Sequence, residues 1–315
     1  VNRRRACAGA AAVAAVAALP WYGSPTLVQF GLNAALLAAL AQGWNVLGGY
    51  TGYASFGNST FYGLGAYGTA IAMVTYDLPF AAGLAAGAAA AVAFALLLGA
   101  PVLRLRGHYF AIATLALSAV MTAIVSNLDI AGRNIGIVLP LGGSDTLFYE
   151  AALALAAAAT LFVRWLARSR FGLGLIAIRE NEDAAAATGV NTTLYKLAAF
   201  AAAALVSALA GGIHAYWITF IDPASAFDLT LNVKMIIMAV FGGPGSVLGP
   251  LVGAVALSGI SEVLATEVTS VASLFFGLVI VVAVVLMPRG LADLARRWRG
   301  LGWRYFAENV RAHRL

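Results

Sequence analysis

Apolar segments of membrane length follow one another almost without pause along this chain. They fall at 6–20, 27–47, 56–76, 80–103, 109–127, 148–166, 193–216, 229–242, 247–264 and 270–287, against roughly 20 residues for one crossing. No water inside a bilayer satisfies exposed backbone polar groups, so such runs persist only as helices or as closed barrels. A barrel needs strands that alternate apolar and polar residues, and this sequence does not alternate. The expected fold class is therefore all-α, a polytopic membrane protein of about ten transmembrane helices. Composition agrees: 62% of the 315 residues are hydrophobic and 10% are charged, where soluble domains carry roughly a quarter charged. The segment at 229–242 is the shortest and contains Lys234.

The basic residues orient the chain. If residues 2–5 are cytoplasmic and all ten segments cross, then Arg104, Arg106, the interval 164–196 and the tail from Arg289 share that side. All but Arg133 and Lys234 of the 19 Lys and Arg then lie inside, as the positive-inside rule requires. Both termini are expected in the cytoplasm. The net charge of +6 marks that side and not a nucleic-acid partner. The Arg-led apolar run near the start resembles a signal peptide and is expected to stay as an uncleaved first helix. The chain divides into a transmembrane domain at 1–288, with a cytoplasmic loop at 167–192, and a basic tail at 289–315. The tail carries Trp298, Trp303, Tyr305 and Phe306 and reads as a segment lying at the lipid interface.

Several chemistries are excluded. The one cysteine, Cys7, rules out a disulfide framework or a cysteine metal cluster. His108, His214 and His313 are far apart in sequence, so no metal site and no cofactor is expected. No G-x-x-x-x-G-K-[ST] occurs, so the chain lacks the phosphate-binding loop of a nucleotide hydrolase. No H-E-x-x-H and no G-x-S-x-G occurs, and no motif links Ser258 with His214 as an intramembrane nucleophile and base. Residues 63–68, GLGAYG, match the dinucleotide fingerprint by letter but lack the strand and βαβ context that gives it meaning. Carboxylates are scarce within the apolar segments, against a proton relay.

Two stretches interrupt the apolar pattern. Residues 48–68, GGYTGYASFGNSTFYGLGAYG, are too rich in glycine and small polar residues for a regular lipid-facing helix. Broken backbone at membrane depth is tolerated where it is buried in protein or lines a wet cavity. Tyr50, Ser55, Asn58, Ser59 and Thr60 are therefore candidate pathway residues, with close helix packing through small residues as the equal alternative. Gly48, Gly49 and Gly52 supply the break. The second stretch, 241–253 (FGGPGSVLGPLVG), breaks at Gly242, Gly243 and Gly245, helped by Pro244 and Pro250. Paired interruptions in the two halves of a transporter point to a route at a repeat interface.

The longest charged interval is 164–196. Within it Arg179, Glu180, Glu182 and Asp183 precede an Ala-rich turn that stops at Gly189, a residue that tolerates positive φ. The pattern predicts a short helix with a flat alanine face, kept out of lipid by its charges. It is either a solvated loop or a docking helix for a soluble partner.

The chain resembles the permease subunits of branched-chain amino-acid ABC importers. The resemblance rests on GGYTGYASFGNSTFYGLGAY from Gly48, LRGHYFAIATLAL from Leu105, SRFGLGLIAIRENEDAAAATGV from Ser169, FGGPGSVLGPLVGA from Phe241 and MPRGL from Met287, in the family's order. It implies the ABC importer permease fold in the bacterial inner membrane, in contact with membrane lipid. It also implies a homologous second permease, two cytosolic ATPases and a periplasmic binding protein for amino acids. Asp183, Ala184 and Ala185 through Gly189 are similar to the family's coupling signature E-A-A-x-x-x-G, with Asp in place of Glu, which implies that this helix seats in an ATPase. Two positions depart from the pattern. Arg133 interrupts the stretch around Asn134, itself a pathway candidate, and Asn58 stands where the family often has histidine. The implied cargo is a branched-chain amino acid or a similar small amino acid or amide, a scaffold shared with importers of other small solutes. The alternative is a stand-alone secondary transporter or channel, which would need intramembrane ion-coupling carboxylates and no docking helix.

Overall fold

The computed structural model describes residues 18–267 and Gly277. After a short turn α1 (Leu19–Tyr22), α2 (Pro25–Trp44) runs into a π-helical turn at Asn45–Gly49. An irregular stretch then leads to α3 (Asn58–Val74), α4 (Phe80–Val102) and α5 (His108–Val125). The strand β1 (Ile137–Val138) precedes α6 (Asp145–Leu166), α7 (Arg170–Glu180), α8 (Glu182–Ala187) and α9 (Thr192–Ile218). The strand β2 (Phe220–Ile221), the turn α10 (Pro223–Ala226), α11 (Leu229–Gly242) and α12 (Gly249–Glu267) complete the described chain.

Helix starts follow local chemistry. Ser24, Ser144, Ser169, Asn181, Asn191, Asp222 and Asp228 each accept a backbone N–H from the first turn of the helix they precede, satisfying donors that have no intrahelical partner.

The chain is an all-α multi-pass membrane protein. Six described helical stretches are long and apolar enough to cross a bilayer: Pro25–Gly49, Phe80–Val102, His108–Val125, Asp145–Leu166, Thr192–Ile218 and Pro223–Gly242. The expected count of ten is not reached among the described residues. The segments at 56–76 and 247–264 are helices, α3 and α12, that fall outside that group. The expected helices at 6–20 (apart from its last three residues) and 270–287 (apart from Gly277), and the tail at 289–315, lie outside the described residues. α3 has 17 residues, most of them buried, because it threads the middle of the bundle between α4 and α9.

Connections alternate between two ends, as successive crossings require. At one end the irregular stretch after Gly49, the link from α4 to α5, and α7 and α8 come together. At the other, β1 and β2 form a two-residue antiparallel ladder, Ile137 opposite Ile221 and Val138 opposite Phe220. Between the ends, Phe61 and Phe200 meet edge to face with ring centroids 5.0 Å apart, and Tyr67 stacks on Phe227 toward the ladder.

The irregular backbone expected over 48–68 is confined to 45–57. From Asn58 onward the glycines serve packing: a Cβ at Gly68 would lie 2.6 Å from the Cα of Gly87, and one at Gly65 would fall on the backbone of Ala208. Small residues let these helices approach closely without help from a hydrophobic driving force. Gly65→Ala is expected to cost about 2 kcal/mol through overpacking, whereas Gly259→Ala, whose added Cβ would meet no atom within 4 Å among the described residues, should change stability by less than about 1 kcal/mol. Thermal unfolding of the two variants in detergent checks the difference.

Candidate functional site

The candidate site grows from the chain reversal between α7 and α8. Asn181 adopts an extended conformation (φ −161°, ψ 109°) that ends α7, and its side-chain oxygen accepts the Ala184 N–H at 3.0 Å to start α8. Glu182 and Asp183 sit in the first turn, where the helix dipole favours negative charge. Gly189 follows with φ +89°, the left-handed geometry that the sequence required there. Ala185 is buried, while Ala184, Ala186 and Ala187 are exposed, so α8 presents a face of small exposed alanines.

Glu182 fixes the helix to the bundle. Its Oε1 accepts from Lys196 Nζ at 2.6 Å, and its Oε2 accepts from the Tyr53 hydroxyl. Lys196 Nζ also donates to the Leu103 carbonyl at 3.0 Å, and it lies 4.6 Å from the Tyr53 ring centroid. The Lys196 side chain is 4% exposed and that of Glu182 15%. One ion pair thus joins α8, the second turn of α9, the end of α4 and the stretch after Gly49. Partial burial is the largest influence on Glu182 and opposes ionisation. The hydrogen bonds from Lys196 and Tyr53, with the positive charges of Lys196 and Arg106, together outweigh it and hold the carboxyl below its usual range. Burial first, then the bond to Glu182, pushes the Tyr53 hydroxyl up, so it remains a donor. Asp183 faces outward and pairs with Arg106 Nη2 at 2.9 Å. That hydrogen bond, then the guanidinium charge, lowers the Asp183 carboxyl.

Arg179 makes the second anchor. Its Nη1 donates to the Gly49 carbonyl at 3.1 Å, and Glu180 accepts from its Nη2 at 2.9 Å. A Cβ on Gly52, at φ +75°, would meet Arg179 Cγ at 3.0 Å, and one on Gly245, at φ +73°, would meet its Nη1 at 2.9 Å. Both interruptions of the apolar pattern therefore converge on one arginine. They are also bonded to each other. Asn45 Oδ1 accepts from the Gly245 N–H at 2.7 Å, Asn45 Nδ2 donates to the Ser246 carbonyl at 3.0 Å, and Gln42 Nε2 donates to the Val247 carbonyl at 2.7 Å. Gln42 and Asn45 are fully buried, and their amides replace the backbone partners that the broken helices lack. Between these anchors a cleft of about 480 Å³ opens, lined by Gly52, Tyr53, Arg106, His108, Arg179 and Asp183 among others.

Of the pathway candidates, Tyr50, Ser55, Asn58, Ser59 and Thr60 are all buried. Ser59 and Thr60 hydroxyls each lie 3.0 Å from that of Ser118, and Asn232 Nδ2 donates to Ser59 Oγ at 2.6 Å. Among the described residues the Asn58 amide has no hydrogen-bond partner. Asn134 is exposed at the opposite end, beside β1. Gly48 packs against the Trp44 indole, Gly49 against Gly245, and Gly242 against Gly249. Sequence reasoning missed Lys196, Tyr53 and Arg106, and the amides of Gln42, Asn45 and Asn232. The one available signal was a lysine, one of two in the chain, opening an apolar helix.

The described residues form a multi-pass helical bundle with paired backbone breaks and a charged helix clamped against one end. The family described as "Branched-chain amino acid transport system / permease component" matches residues 26–284, and the chain belongs to it. It is similar to the "High-affinity branched-chain amino acid transport system permease protein LivM" of Salmonella typhimurium and to that of Escherichia coli. Each is 29% identical over 311 residues, covering 89% of this chain and 73% of the relative. No solved structure matches the chain. It is thus a transport subunit and not an enzyme.

Removing one member of the central pair strands the other charge, so Lys196→Met is expected to destabilise by about 3 kcal/mol, and Lys196→Met with Glu182→Met by much less; detergent unfolding of both variants measures the difference. Because the folded Glu182 carboxyl titrates below its unfolded value, its contribution is complete above the ordinary carboxylate range and disappears as pH falls through the depressed value. Amide exchange over 181–189, corrected for intrinsic rate, should accelerate in that acid window and not at alkaline pH.

Proposed function

We propose that this permease subunit works in an ATP-driven importer of the bacterial inner membrane, and that α8 is where a cytosolic ATPase seats. The supporting observation is the exposed alanine face of α8 on a helix fixed by the Glu182–Lys196 pair. A free loop would transmit no displacement; a clamped helix moves what it is clamped to. Arg179, Glu180, Glu182, Asp183, Ala184, Ala185 and Gly189 form the coupling element. Glu182 holds it to the bundle, Asp183 to Arg106, and Arg179 to the breaks at Gly49 and Gly245.

The chain pairs in this reading with a homologous second permease, two ATPases and a periplasmic amino-acid-binding protein. About ten helices over 1–288 form the permease, both termini are cytoplasmic, and the basic tail lies on the lipid surface. The names of the relatives point to branched-chain amino acids as cargo. ATPase closure would shift α8, and through Arg179 both breaks together, between inward- and outward-facing arrangements. The binding protein and ATP each favour one arrangement, which is sufficient for coupling. Tyr50, Ser55, Asn58, Ser59, Thr60 and Asn134 would line the route as it opens. Asn58, whose buried amide has no partner among the described residues, is the one of these whose burial costs most while the bundle stays closed.

Ala187→Trp tests the docking. The site is exposed, so stability should change by no more than about 0.5 kcal/mol, while co-purification with the ATPases should fall about ten-fold. Undiminished ATPase capture by the tryptophan variant, or amino-acid uptake without any ATPase, contradicts the reading.

A further inference from the structure

A second feature lies away from the coupling element, where α6 ends. A cavity of about 350 Å³ is lined there by Leu161, Arg164, Trp165, Arg168 and Ser169. Arg164 sits in the last turn of α6, and Arg168 in the tight turn that follows, where its N–H donates to the Trp165 carbonyl at 3.0 Å. Ser169 fixes the corner into α7: its hydroxyl donates to the Leu166 carbonyl at 2.9 Å and accepts the Gly172 N–H at 3.0 Å. The backbone thus holds both arginines at one cavity. Trp165 stacks on Phe162, ring centroids 5.7 Å apart, and is still 57% exposed. Along the helix from it Leu161, Ala158 and Ala154 are exposed as well, at the spacing that shares one helix face.

These two arginines lack carboxylates. At the same end of the bundle Arg106, Arg179 and Lys196 are matched by Asp183, Glu180 and Glu182. Among the described residues no ion pair holds Arg164 or Arg168, and no Asp or Glu lines their cavity. From this arrangement we infer that the cavity is a binding site for an anionic phospholipid. Its phosphodiester is held by Arg164 and Arg168, its glycerol backbone lies against Trp165, and an acyl chain follows Leu161, Ala158 and Ala154. Guanidinium forks match phosphate oxygens in geometry and charge, and an amphipathic indole suits the headgroup level. Arginines that only orient a chain need to lie on one side of the bilayer; they need neither an indole nor an apolar track in the same cavity. A dissolved anion would meet the arginines and leave that track uncovered. In the proposed orientation this end is cytoplasmic, where anionic lipids make the membrane surface negative. The inference depends on the multi-pass fold and on neither the cargo nor the ATPase.

The test is quenching of Trp165 by lipids with brominated acyl chains, in nanodiscs holding the purified full chain. Brominated phosphatidylglycerol is compared with brominated phosphatidylcholine, and the Trp165 signal is the difference from the same protein carrying Trp165→Phe. The wild type should prefer phosphatidylglycerol about ten-fold, from two arginines at the membrane surface. Arg164→Gln with Arg168→Gln should bring the preference to about one. Arg104→Gln removes an exposed arginine outside this cavity and should leave the preference as it was. A wild type without preference overturns the inference. Equal loss in the Arg104→Gln variant would mean a general surface charge, and overturns it too. Abolition of the preference by excess inorganic phosphate would mean a site for a free anion, and quenching by neither lipid would mean a face covered by protein; either result overturns it.

Discussion

The ion pair between Lys196 and Glu182 is the constraint on which the arrangement at this end of the bundle depends. A lysine 4% exposed at the start of a spanning helix is tolerable only with its charge matched and its donors used. Glu182, the Tyr53 hydroxyl and the Leu103 carbonyl do so together. Four separate parts of the chain must therefore meet at one ammonium group. The six-residue α8 could not persist as an isolated helix, given the cost of nucleation; its capping by Asn181 and its tie to Lys196 make it a fixed surface.

A second set of bonds makes that surface consequential. Arg179 leaves α7 one residue before the helix ends and reaches the π-helical turn, while Asn45 and Gln42 bind that turn to the 245–247 backbone. Each broken helix is satisfied by the other. A displacement of α7 and α8 cannot reach one break without disturbing its partner, and packed interfaces of this kind tend to switch between discrete arrangements.

Much of this was legible in the sequence, because it is local. The apolar segments became helices wherever they are described, Ser and Asn caps start the helices they precede, and Gly189 takes the left-handed geometry that an ending at that point needed. The paired interruptions were also visible as glycine and proline. What was not legible is non-local. Nothing near Lys196 reveals that its partners are Glu182 and Tyr53, which reach it only once α4, α8 and α9 pack. The resemblance put Asp183 in the position usually held by Glu, yet the inward-facing carboxylate is Glu182, one residue earlier, and Asp183 turns outward to Arg106. The glycines after Asn58 stood equally for broken backbone and for close helix packing, and they are helical, since sequence alone does not distinguish a glycine that bends a helix from one that lets two helices touch. Asn134 entered through a motif and lies at the end opposite α8.

The central claim is that α8 faces the compartment of the ATPase and is covered by it. The direct measurement places a single cysteine at Ala187, with Cys7 replaced by serine, and treats sealed vesicles of each orientation with a membrane-impermeant maleimide. The account predicts labelling only when the cytoplasmic face is outward, and protection when the ATPase subunits are added. Labelling from the periplasmic face, or labelling that the ATPase leaves unchanged, would contradict it.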